Sequence, residues 1–205
     1  LFGLVLLALL LGGIPSGFLI GRAQGVDIRE HGSGNIGATN ALRTLGRRAA
    51  VATLLLDIGK GFGGAALGSI AGWGSDGVSV PAAQALCGTA AVVGHCWSPF
   101  LSWRGGKGVA SGLGVFLFLA PVTACWGLGA FALTLAVMRV AAIASLIGAA
   151  TIAGLGILLH PREPEITAAA MLIACIIGVR HRSNIRRLLR KTTANARPAR
   201  RRTND

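Results

Sequence analysis

The chain has 205 residues, of which 53% are hydrophobic and only 13% charged, yet it carries a net charge of +13 from 20 Lys+Arg against 7 Asp+Glu. Soluble domains carry about 25% charged residues, and nucleic-acid binders this basic carry far more, so both classes are excluded, as is disorder outside the tail. High apolarity, 31 Gly and a strong basic excess point instead to an all-α, polytopic integral membrane protein with basic loops on one side.

A bilayer core takes about 20 apolar residues per helix. The predicted spans, in order, are Leu1 to Ile20, Ala49 to Trp73, Pro81 to His95, Gly108 to Ala120, Val122 to Met138, Ala141 to Leu159 and Ile166 to Val179. The first has no basic segment before it, so it reads as a true span rather than a cleaved signal. Connections on one side hold Arg22, Arg29, Arg43, Arg47, Arg48, Arg104, Lys107, Arg139 and ten more cations from Arg180 to Arg202, 18 in all. The other side holds Arg162 alone, and Lys60 lies within a span. Loops rich in Lys and Arg stay cytoplasmic. This asymmetry places the N-terminus outside and the C-terminus in the cytoplasm, and requires an odd number of spans; five, with the short segments re-entrant, satisfy it as seven do. Residues 1–189 form one transmembrane domain, and 190–205 a basic, disordered cytoplasmic tail attracted to anionic lipid headgroups. No nucleic acid is expected to bind it. Four Cys without a CxxC pair make neither a disulfide framework nor a metal site.

Two cytoplasmic segments are rich in glycine. The first, GSGNIGATN, spans Gly32, Ser33, Gly34, Asn35, Ile36, Gly37, Ala38, Thr39 and Asn40, with Arg43 three residues on. Glycine allows positive φ and close backbone approach, successive N–H groups make an anion-binding concavity, and arginine adds a planar donor. The bland alternative is a flexible loop or tight helix packing. The second segment sets Lys107 among Gly105, Gly106 and Gly108 at the start of a span. It is not a phosphate-binding P-loop, because the spacing of the glycines and the hydroxyl residue are wrong. Two such loops on one membrane face suit two phosphates.

Asp57 and Lys60, at i and i+3, share a helix face. They form either a structural ion pair or, through Lys60, a substrate contact. His95, His181 and Asn184 sit at the cytoplasmic border, where structural and functional roles both stand. Ser145 reads as an ordinary helix serine or a substrate contact. Trp97 and Trp103 suit an interfacial aromatic belt.

The stretches GSGNIGATN with Arg43, DIGKG at 57–61, GHCWSPFLSWRGGKGVAS at 94–111 and RHRSNIRRLL at 180–189 resemble the bacterial acyl-phosphate:glycerol-3-phosphate acyltransferase (PlsY) family, from Gly13 to about Leu189. The resemblance implies an inner-membrane enzyme of seven helices with a cytoplasm-facing site. Such an enzyme moves a fatty acyl group from acyl phosphate to the 1-hydroxyl of glycerol 3-phosphate, without metal or cofactor. Ser33, Arg43, Lys107, Ser145, His181 and Asn184 then correspond to active-site positions, and Gly34 to Asn40 to the phosphate loop. The expected catalytic set is Ser33, Arg43, Lys107, His181 and Asn184. The expected substrate-binding set is Gly32, Gly34, Asn35, Gly37, Thr39, Asn40, Lys60, His95, Gly105, Gly106, Gly108 and Ser145. Expected partners are acyl phosphate, glycerol 3-phosphate and membrane lipids. A transporter of a phosphorylated solute is the rival class. It would place charges deeper than these, of which only Asp57 and Lys60 enter a span.

Overall fold

A computed structural model describes residues 1–73 and 77–195. The α-helices are, in chain order, α1 (Phe2–Gly13), α2 (Ser16–Ala23), α3 (Ala38–Thr44), α4 (Arg47–Leu67), α5 (Val80–Cys96), α6 (Val109–Leu119), α7 (Pro121–Met138), α8 (Ala141–Leu159), α9 (Pro164–Arg180) and α10 (Arg182–Asn195). Short 3-10 turns occupy Ile28–Glu30, Gly68–Trp73 and Pro99–Leu101, and no strand occurs among the described residues.

Every predicted span is helical, but the first is broken. Proline has no N–H, and its ring collides with the preceding turn. Accordingly α1 stops at Gly13, Ile14 takes φ −55° and ψ 118°, and α2 starts after Pro15. The break opens the carbonyls of Gly13 and Ile14 to distant donors. Ser98 Oγ donates to Gly13 O at 2.6 Å, and Lys60 Nζ donates to Ile14 O at 2.9 Å. Lys60 Nζ also pairs with Asp57 Oδ1 at 2.9 Å. Burying such a pair is tolerable only when its remaining hydrogen-bonding capacity is met, and the broken span supplies an acceptor.

α5 is the hub and packs against α1, α4, α6 and α9. α4 and α6 approach especially closely: a Cβ on Gly61 would overlap the backbone of Ser111, and one on Gly114 the backbone of Ile58. Lipid tails are as apolar as leucine, so close backbone packing has to supply the attraction between spans. Outward faces are apolar, with Val137 74%, Leu158 73% and Leu133 69% exposed, as a lipid-facing surface requires. Among the described residues, four helical segments are long and apolar enough to cross a membrane: Phe2–Ala23, Arg47–Ala71, Pro121–Met138 and Ala141–Leu159. α5 and α9 have 17 residues each and α6 has 11; α6 is about 16 Å long at 1.5 Å per residue, roughly half a bilayer core.

Of the expected tail, 190–205, α10 carries helical backbone through Asn195, and 196–205 lies outside the described residues. Lys60→Met would strip Asp57 of its partner and leave Ile14 O without the ammonium. Its loss is expected to cost about 3–5 kcal/mol, read as a lower thermal-unfolding midpoint in detergent. An unchanged midpoint would contradict the pinning role.

Candidate active site

The first glycine-rich loop is built on local hydrogen bonds. Asp27 caps the Ile28–Glu30 turn by accepting from Arg29 N at 3.0 Å, and its carboxylate also takes the Arg29 guanidinium. These contacts hold the Asp27 carboxyl down at about 2, so it stays ionised. Asn40, only 2% exposed, is the staple. Its amide nitrogen donates to Ile28 O and His31 O, both at 3.1 Å, and its oxygen accepts from Ser33 N at 2.9 Å. Gly32 and Gly34 adopt φ +61° and +69°, left-handed conformations that side chains disfavour. Asn35 Oδ1 accepts from Gly37 N at 2.9 Å. The N–H groups of Ala38 and Thr39, in the first turn of α3, have no intrahelical acceptor.

The second loop is pressed onto the end of α5. Gly106 N donates to His95 O at 3.0 Å, and a Cβ on Gly106 would overlap the His95 ring. Gly108, at φ +80°, starts α6 against Cys96 and Val92. Lys107 is thereby turned away from the loop, and its Nζ donates to Asn184 Oδ1 of α10 at 2.8 Å. Burial, together with the positive fields of Arg187, Arg180 and Arg43, pushes the Lys107 ammonium below its ordinary value. No carboxylate among the described residues is paired with this lysine.

These segments meet around one cavity of about 610 Å³. Ser33, Asn35, Gly37, Thr39, Asn40, Arg43, His95, Lys107, Gly108, Ser145, His181 and Asn184 all line it. The other expected residues stand behind it. Gly32, Gly34, Gly105 and Gly106 shape the two loops without lining the cavity. Lys60, expected to touch substrate, commits its ammonium to Asp57 and Ile14 O and does not line the cavity either. Asn40 reaches the cavity, but its amide is used within the loop. The Ser145 hydroxyl donates to Ala141 O at 2.8 Å, so toward a ligand it offers only an acceptor. His181 is 2% exposed, and its Nδ1 lies 2.8 Å from Ile177 O. A carbonyl can only accept, so Nδ1 carries the proton and Nε2 is left with a lone pair. Burial, above all, and then the Lys107 charge push the ring below the usual imidazole value, against the Ile177 hydrogen bond.

Two charged lining residues escape a reading of the sequence. Arg139 and Arg187 are hidden in the one-sided excess of cations, although Arg139 stands alone between two helices and Arg187 lies one turn beyond Asn184. Asp57 also lines the cavity, and it is already ion-paired. Its polar end therefore presents Arg43, Lys107, Arg139 and Arg187 with no free carboxylate among the described lining residues. The rest is apolar: Leu113, Phe116, Leu128, Phe131, Ile152 and Ile173, between α6, α7, α8 and α9. Along α7 the lining runs from Arg139 back to Gly127, about 18 Å of helix. Such a site accepts an anionic head with a long apolar chain.

Comparison with known proteins agrees with that chemistry. Residues 2–191 match the family described as Glycerol-3-phosphate acyltransferase. The glycerol-3-phosphate acyltransferase of Trichlorobacter lovleyi is 44% identical over 185 residues, covering 90% of this chain and 92% of its own length. Glycerol-3-phosphate acyltransferase 1 of Deinococcus radiodurans is 44% identical over 191 residues, covering 90% and 89%. The crystal structure of PlsY (YgiH), an integral membrane glycerol 3-phosphate acyltransferase, in its glycerol 3-phosphate form superposes with a TM-score of 0.83 at 34% identity, over 93% of this chain and 92% of that one. The lysophosphatidic acid form gives 0.81 over the same shares. Sequence over nearly the whole length, fold and cavity chemistry all agree: the chain belongs to the glycerol-3-phosphate acyltransferase family.

Proposed function

We propose that this protein moves a fatty acyl group from acyl phosphate to the 1-hydroxyl of glycerol 3-phosphate, giving lysophosphatidic acid and inorganic phosphate at the cytoplasmic face of a bacterial membrane. The observation that carries this reading is the single cavity joining four cations to an apolar trough. Both substrates bring a phosphate, and one brings an acyl chain. Acyl phosphate is a mixed anhydride, so the donor arrives activated and no covalent enzyme intermediate is needed.

The hydroxyl oxygen attacks the acyl carbon. The ester C–O bond forms, the bond from acyl carbon to phosphate oxygen breaks, and the electron pair leaves on phosphate. Fixed cations and N–H groups aimed at the developing charge lower the barrier without reorganising. Holding both reactants in one cavity supplies the geometry. Arg43 with the start of α3 and Lys107 with the second loop are the two anion sites, and Asn184 aims Lys107. The hydroxyl proton passes to the departing phosphate, while His181 Nε2, kept neutral and unprotonated, is the alternative acceptor.

Seven spans with the N-terminus outside complete the reading. It is supported by the cation asymmetry and by seven helical segments at the expected places. A green fluorescent protein fused at the C-terminus is then expected to fluoresce, and alkaline phosphatase fused there to be inactive; active phosphatase would reverse the topology.

Lys107→Ala and Arg43→Ala are each expected to lower transfer at least about 100-fold while the protein still inserts and folds. Near-normal turnover in either variant would remove that residue from the site. Because the Lys107 ammonium is pushed down, its positive charge is lost as pH rises, starting below the ordinary lysine value of 10.5. The rate–pH profile should therefore fall on its alkaline side below pH 10.5, and the residual activity of Lys107→Arg should not show that fall.

A further inference from the structure

Arg180 closes α9 one residue before His181 and does not line the cavity. Its guanidinium nevertheless holds the second glycine-rich loop by two hydrogen bonds. Nε donates to Gly106 O at 3.0 Å and Nη2 donates to Gly105 O at 2.8 Å. The same group lies over the Trp97 ring, 5.3 Å from its centroid, so Trp97 is a stacking platform rather than only an interfacial aromatic. On its other side the loop rests on α5, where Gly106 N bonds His95 O and a Cβ on Gly105 would overlap that same carbonyl.

We propose that Arg180 is a positioning residue for catalysis: it clamps the Gly105 and Gly106 carbonyls and thereby fixes Lys107 relative to the helix ends that carry His181 and Asn184. The proposal rests on the assignment of Lys107 to an anion site. The physical need for a clamp is plain. Two glycines directly before Lys107 leave the backbone with the greatest freedom a chain can have. The bond between Lys107 Nζ and Asn184 Oδ1 joins residues 77 positions apart, and nothing in the glycines themselves holds that register. Two charge-assisted bonds from one rigid fork do so. A misplacement near 1 Å at a reacting centre costs about 100-fold in rate. Lysine cannot replace the fork, because a point charge does not serve two diverging carbonyls and stacks poorly on an indole.

The test measures acyl transfer from palmitoyl phosphate to glycerol 3-phosphate, per folded molecule of full-length purified protein. Arg180→Gln is expected to lower kcat roughly 10- to 100-fold, and Arg180→Lys to lower it less. The deciding readout is coupling. In a Lys107→Ala background, Arg180→Gln should add less than about twofold, because residues acting through one another are not additive; a merely structural role would multiply the two losses. The clamp is overturned if Arg180→Gln turns over within about twofold of wild type, or if its full loss persists in the Lys107→Ala background. Should Arg180→Gln fail to fold, Arg180→Lys decides alone, and wild-type kcat there overturns the proposal. Full activity in Lys107→Ala itself would instead refute the site assignment on which the clamp rests.

Discussion

Like charges held together beside an apolar trough set the terms for the rest of the molecule. Arg43, Lys107, Arg139 and Arg187 face one cavity, and the acid that lines it is already paired. In the low dielectric near a membrane their mutual repulsion is weakly screened, so the arrangement is costly until an anion arrives. Each cation must be held by something other than its charge. Lys107 is held by Asn184 and by a loop bonded to α5, and Arg43 by a helix whose entrance is stapled by Asn40. An anionic ligand bound there would relieve the repulsion.

The scaffold meets that demand with backbone irregularities placed where they are satisfied. Pro15 breaks the first span, and the exposed carbonyls of Gly13 and Ile14 receive Ser98 and Lys60. Lys60 in turn neutralises Asp57 beside the cavity. A proline, an aspartate, a lysine and a serine from three parts of the chain are thus one unit. Irregular backbone at membrane depth survives only when its polar groups find partners inside the protein. On the opposite side, His160 bridges Thr123 and Glu163 at 3.1 and 2.8 Å, tying α7 to the connection between α8 and α9, a structural part far from the cations.

Much of this is legible in the sequence, for reasons that also explain what is not. Apolar length and the one-sided distribution of Lys and Arg are additive properties, so they predict helical spans without knowing their contacts. Glycines crowded around Arg43 and Lys107 are visible because such a density of glycine beside a lone cation is unusual in a loop between apolar spans. Partners far apart in the chain are another matter. The pairing of Lys60 with Asp57 follows from i, i+3 spacing, but its bond to Ile14, 46 positions away, does not, and without it Lys60 reads as free to touch substrate. Asn40 among glycines looks like a ligand donor until its hydrogen bonds are traced. Arg139 and Arg187 are hidden in the sequence because topology alone accounts for their charge. The apolar run through Pro15 reads as continuous because hydropathy is blind to a missing N–H.

In the proposed reaction the cavity uses an acyl phosphate, so that a cation-lined phosphate site does the work that a coenzyme carrier does elsewhere. The most direct measurement supplies purified protein with palmitoyl phosphate and glycerol 3-phosphate, without coenzyme A, and follows both products. The account predicts lysophosphatidic acid and inorganic phosphate in equal amounts. Product formed only when acyl-coenzyme A is supplied would contradict it.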